Sequence, residues 1–178
     1  MTSYKEELTR SMNYLGDKNN SVFIGQAVSY EGTGMSKTFN NIHVSKLIEL
    51  PVEEEFQLGL AIGMSLNNLI PICIYPRWNF LLLAVNQLVN HLDKVQELNG
   101  FNSTSKVIIR TAVGSAVPMY PGPQHIGDFT EAFKLMFKNI SIHKLDNKND
   151  IFETYRHAYE RNDGVSSLII ELSDKYDS

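Results

Sequence analysis

The sequence predicts an α/β protein, a three-layer fold in which a mainly parallel sheet of about six strands is covered by helices on both faces. Three observations carry that expectation. Short β-rich runs alternate with segments of helical period. The connections between runs are long enough for helical crossovers, which parallel pairing requires. The runs LIPICIY and VIIR are apolar without alternation, as strands covered on both faces must be.

Taken in order, the chain should open with a helix over 4–15 and a strand over 22–25 (VFIG). A strand over 47–50 (LIEL), a helix over 52–67 and a strand over 71–75 (PICIY) follow. A long helix over 79–97 then leads to a strand over 106–111 (KVIIRT). Helix 129–137, strand 139–143 (NISIH), helix 148–161 and strand 166–172 (SSLIIEL) complete the pattern. With 178 residues, 43% of them hydrophobic, residues 1–178 fit one domain with a substantial core.

Charge removes several classes of function. A net charge of −4, without a Lys/Arg cluster, argues against nucleic-acid and anionic-membrane partners. Glu6, Glu7 and Arg10 lie where a signal peptide would need an apolar stretch, so a cytoplasmic location is expected. Cys73, the single cysteine, sits in IPICIY and reads as a buried structural thiol. From Phe56 to Leu92 the only formally charged residue is Arg77, yet the apolar runs fall well short of the ~20 residues of a membrane span. That stretch is core or interface.

Helix 52–67 is apolar around its whole circumference, with Gly59 and Gly63 on one face, and a helix of that kind should be enclosed. Glu53, Glu54 and Glu55 fall in its first turn. They can be a solvated acidic turn that complements the helix dipole. Three successive residues point about 100° apart, so a mostly buried helix would also turn at least one of them toward protein or a ligand. A buried carboxylate must then find a donor or take up a proton.

Three segments, in order, resemble a known family. IELPVEEEFQLGLAIGMSLNNLIPICIY is similar to the Pro-hydrophobic-x-Glu and Gly-x-Ala-hydrophobic-Gly pattern of 2-oxo-acid dehydrogenase β subunits and of the transketolase pyrimidine-binding domain. WNFLLLAVNQLVNHLDK resembles the helix that follows in them, and KVIIRTAVGSAVPMYPGPQHIGDF their strand, Arg, Gly-rich loop and Gln-His element. The likeness runs from about Val22 to Glu171.

The resemblance implies a pyrimidine-binding subunit of a heteromeric thiamine-diphosphate enzyme, acting on a 2-oxo acid or ketose by decarboxylation, carboligation or two-carbon transfer. Counting back from Gly59-Leu60-Ala61-Ile62-Gly63, it places the cofactor glutamate on Glu54. In the family this carboxylate bonds a ring nitrogen of the aminopyrimidine and promotes the tautomer that takes a proton from the thiazolium carbon. Phe80 aligns with the aromatic that stacks on the pyrimidine, and Trp78 with a neighbour; either can equally be a core aromatic. His125 matches the Gln-His position beside the active-site channel, though a loop histidine is also a common surface residue. Arg110 can bind an acidic substrate, but a structural ion pair is the simpler account.

The chain also departs from the family. Gly25-Gln26-Ala27-Val28 stands where members often have Gly-Glu-acid. Nothing corresponds to the Gly-Asp-Gly, followed some thirty residues later by Asn-Asn, that holds Mg2+ and the diphosphate in the family: Gly127-Asp128-Phe129 lacks the second glycine, and Asn162-Asp163-Gly164 lies too near the end. The sequence stops after the sixth strand, without the family's C-terminal domain. A diphosphate-binding partner subunit carrying those elements is therefore expected, in an α2β2-type assembly, with the magnesium ligands on the partner. Two other readings stay open. One is a catalytically silent partner that keeps the interface. The other is a nucleotide-binding module around EGTGMSKTF, where Ser36 and Glu31 occupy the two places a phosphate loop needs as glycine.

Overall fold

A computed structural model describes residues 2–29, 32–100, 103–117 and 120–176. Six parallel strands form one sheet in the order β2-β1-β3-β4-β6-β5: β1 (Ser21–Gly25), β2 (Leu47–Glu49), β3 (Ile70–Ile74), β4 (Ile108–Val113), β5 (Ile140–Lys144) and β6 (Ser166–Leu172). Each lies within two residues of its expected place. The all-parallel pairing is what crossovers between apolar strands produce.

Side chains alternate along the strands into two cores, one on each face. Phe23, Ile72, Ile74, Ile108 and Ile169 face helices α1 (Tyr4–Gly16) and α6 (Ile151–Glu160), where Leu8, Met12, Leu15 and Tyr155 are buried. Ile24, Cys73, Ile109, Leu168 and Ile170 face the other layer, built from α2 (Glu54–Ser65), the segment from Trp78 to Leu98, and α5 (Thr130–Met136). The six strands between two helical layers are the predicted architecture. Burial pushes the Cys73 thiol up to about 12, as a structural thiol requires.

Two expectations need correction. The helix over 79–97 is not continuous: α3 (Trp78–Leu81) gives way to a 3-10 turn, a π turn over Gln87–His91, a second 3-10 turn and α4 (Val95–Leu98). The changes of winding keep Leu88 and Leu92 in the core while turning Asp93 inward, where it accepts the backbone N–H groups of Lys138 and Asn139 at the start of β5. The second correction concerns α2. Glu54, Gln57, Leu58, Ala61 and Ser65 are buried, but Phe56 and Leu66 are 52% and 51% exposed, and a Cβ added to Gly63 would meet nothing within 4 Å. One face packs on the sheet and a flank meets Asn86 and Gln87, while Phe56, Gly63 and Leu66 are left exposed among the described residues.

Candidate functional site at the C-terminal edge of the sheet

Strand order places a crossing point between β1 and β3, because the chain leaves β1 in one direction for β2 and returns past it to β3. Ligands of open parallel sheets bind outside the carboxyl ends of strands at such a point. A crevice of about 920 Å³ lies there, lined among others by Gln26, Glu49, Val52, Arg77, Phe80 and Tyr176. Lys5, Lys37 and Arg77 reach its wall from three elements, and no acidic residue pairs with any of them among the described residues.

Gly25 ends β1 at φ +149, and a Cβ there would come within 2.5 Å of the Ile74 carbonyl oxygen, so glycine lets the strands close together at the crossing point. The chain then turns sharply, with Ala27 at φ +54. The Glu49 carboxylate offsets this strain by accepting the N–H groups of Ala27, Val28 and Ser29 at 2.6, 2.8 and 2.9 Å. Glu49 was legible only as the polar end of a strand; nothing in its spacing pointed to this role.

Glu54 is the first residue of α2 and is 5% exposed. Gln26 Nε2 donates to its Oε1 at 3.2 Å, and its Oε2 has no partner among the described residues. Tyr75 donates its hydroxyl to the Glu54 carbonyl at 2.9 Å, tying the start of α2 to the sheet. Glu55 turns the other way and accepts from Asn86 at 2.7 Å, while Glu53 is exposed. Of the acidic triplet, the buried member is the one on which the family resemblance places the cofactor glutamate.

Phe80 lines the crevice, half-buried, and meets the His125 ring edge-on with centroids 5.7 Å apart. His125 is partly exposed, but its Nδ1 is buried without a hydrogen-bond partner. Arg77 Nη1 donates to the carbonyls of Gly114 and His125 at 2.7 and 3.0 Å, bracing both loops. Phe80 therefore faces the crevice directly, Glu54 adjoins it through Gln26, and His125 through Phe80. Trp78 is fully buried against Phe133, with centroids 4.7 Å apart, and is a core residue.

Arg110 is an internal ion pair. It donates to both oxygens of Glu171, at 2.5 and 2.9 Å, and to Thr38, while the hydroxyls of Tyr155 and Tyr176 also donate to that carboxylate. Burial opposes the Arg110 charge, but Glu171 and the tyrosines raise its pKa, so the guanidinium stays protonated. It has no free face for a substrate. In the Gly32–Thr38 turn, Ser36 Oγ takes the N–H groups of Gly32 and Thr33, both at 3.1 Å, leaving neither amide for a phosphate. Glu31 lies outside the described residues.

No protein-family model matches the chain. It is 32% identical over 100 residues to the β subunit of the pyruvate dehydrogenase E1 component of Cyanidium caldarium, covering 54% of this chain and 30% of that protein. Against the mitochondrial counterpart of Saccharomyces cerevisiae it is 29% identical over 133 residues, 71% of this chain and 35% of the other. The chain is therefore similar in sequence to pyruvate dehydrogenase E1 β subunits. It spans about a third of the length of the relatives it matches. A solved structure described as a split-gene transketolase, an inactive β4 tetramer, superposes with a TM-score of 0.63 over 96% of this chain and 51% of that one. At 16% identity that likeness shows a shared transketolase-like fold. Within this E1-β-like chain, Glu54, Phe80 and His125 thus occupy one edge of a transketolase-like sheet.

Proposed function

We propose that the chain is the pyrimidine-binding subunit of a two-chain thiamine-diphosphate enzyme acting on a 2-oxo acid or a ketose. The observation that carries this reading is Glu54: a carboxylate buried at the first turn of α2, held by one hydrogen bond, with its second oxygen unpartnered beside a crevice lined by Phe80. Those residues fit an aminopyrimidine. A ring N–H needs an acceptor, which Glu54 Oε2 supplies, and the ring needs an apolar face, which Phe80 supplies. The orphaned Nδ1 of His125, behind Phe80, fits a proton-handling group for substrate.

When bound, thiamine diphosphate supplies the electron sink for breaking or making a carbon–carbon bond next to a carbonyl. The chain's own residues do the rest on this side of the site. Glu54 would hold the ring nitrogen and supply a proton acceptor there, Phe80 would fix the plane of the ring, and Arg77 keeps the His125 loop in place. The diphosphate and its magnesium would fall to a partner subunit carrying a Gly-Asp-Gly followed some thirty residues later by Asn-Asn, since this sequence has no Gly-Asp-Gly. The exposed face of α2 supports a partner there: Phe56, Gly63 and Leu66 follow one helical stripe, and at Gly63 another backbone can approach closely.

Calorimetry on the chain with and without the product of a neighbouring reading frame carrying those elements tests the proposal. Tight, magnesium-dependent thiamine diphosphate binding should appear only in the mixture. Equal affinity with and without the partner would overturn it. Glu54→Gln should assemble normally and lose turnover; an assembled variant with full turnover would show that Glu54 is not the cofactor carboxylate.

A further inference from the structure

We infer that Gln26 is a positioning residue for Glu54: its amide fixes one carboxylate oxygen and, being neutral, keeps the site a single ionisable carboxylate. The inference rests on the reading of Glu54 given above, and is carried by the geometry around Gly25.

The backbone at Gln26 has little freedom. On one side Gly25 is pressed against the Ile74 carbonyl, which also accepts from Gln57 Nε2 at 2.8 Å. On the other, Ala27, Val28 and Ser29 are held by Glu49. Gln26 thus starts from a fixed Cα, and its side chain runs along the crevice wall to Glu54 Oε1. An ionised carboxylate only accepts, so the amide must present its NH2 group to it.

Few other groups compete for Glu54. No Lys, Arg or His lies within ion-pairing distance of it among the described residues. Tyr75 reaches the backbone carbonyl and not the carboxylate, Glu55 is engaged by Asn86 on another face, and Glu49 is turned to the loop amides. Among the described residues Gln26 is therefore the one side chain that bonds and orients the carboxylate. A second acid in its place would put two carboxylates at hydrogen-bonding distance, where like charges cannot both ionise and one shared proton is retained. The neutral amide avoids that coupling and leaves Oε2 as a plain acceptor.

The test follows the carboxyl carbons of the full chain, labelled with 13C-carboxyl glutamate, by NMR as pH is varied, with the Glu54 signal assigned from Glu54→Gln. The unmodified chain should show one titration step at Glu54. In Gln26→Met, of similar shape but without a donor, that step should move to higher pH; in Gln26→Glu it should become two coupled steps separated by about 1 pH unit or more. Gln26→Asn, shorter by one methylene, should behave like Gln26→Met. A Glu54 titration indistinguishable among unmodified, Gln26→Met and Gln26→Glu chains with native spectra would overturn the inference, and if Gln26→Glu does not fold the Met and Asn variants decide it. The readout needs neither cofactor nor partner. Coupled titration without thiamine diphosphate binding by the assembled pair would sink the function and spare this inference, and binding with an uncoupled Glu54 would do the reverse.

Discussion

Glu54 and Glu171 are both buried glutamates at the edge of the same sheet, and their surroundings are opposite. Glu171 is fully enclosed and saturated: Arg110 grips it with two bonds, and Tyr155 and Tyr176 complete its shell. Glu54 is almost as buried, yet one neutral amide is its only side-chain partner among the described residues. A carboxylate whose lone pairs are all used holds a fold together. One left with an unpartnered oxygen beside a crevice is available for chemistry, and the local stability given up there is what a functional site ordinarily costs.

The comparison can be broken first at its structural end. Glu171→Gln leaves the Arg110 guanidinium buried without a counter-charge and should cost about 3–5 kcal/mol, read as a large fall in the urea midpoint. Replacing both residues together, Arg110→Met with Glu171→Leu, should recover much of that loss, since no isolated charge then remains. If the single change costs under about 1 kcal/mol, the network is not the anchor described. Next in size is Glu49→Ala, which frees three loop amides and should cost about 1–3 kcal/mol, with faster hydrogen exchange confined to residues 27–29. Exchange unchanged there would show that the loop is held by something else.

A smaller effect should depend on pH. Burial raises the pKa of Asp93, but N–H donation from Asn139 and Lys138 and the Lys94 ammonium outweigh it and hold the carboxyl below its ordinary range. A carboxyl with a folded pKa below its unfolded one adds stability that is fully present above the unfolded value near 3.8 and is lost as pH falls through the folded value. Asp93→Asn should therefore lower the melting temperature at pH 7 and flatten the decline of stability below about pH 4. An unchanged acid limb would remove Asp93 from the account. The smallest effect on the isolated chain is expected at the functional end. Glu54→Gln, with its neighbours intact, should shift stability by no more than about 0.5–1.5 kcal/mol, and a loss as large as that of Glu171→Gln would mean the two carboxylates are not opposites. Gly63→Trp, on the open face of α2, should leave the isolated chain folded and abolish assembly with a partner, measured by sedimentation.

The sequence by itself determined the layers and the order of their elements. Unbroken apolar runs at LIPICIY and VIIR can be satisfied only by helices on both faces, and helix-sized connections force parallel pairing, so the six strands stand close to where they were expected. The resemblance to the family also separated Glu54 from Glu53 and Glu55, and the structure buries that one of the three. Other features were decided only in three dimensions. Apolar content predicted that α2 would be enclosed, but only the folded chain shows Phe56, Gly63 and Leu66 exposed among the described residues, because composition does not distinguish a buried face from an open one. The segment from Trp78 to Leu98 looked like one helix because its breaks are set by Asp93 reaching the start of β5, 45 residues away along the chain. The bonds from Gln26 to Glu54 and from Glu49 to the loop amides join residues 28 and about 20 positions apart. Local pattern is blind to such pairs: a side chain's partner across strands depends on the order in which the sheet is assembled, and only the folded sheet fixes that.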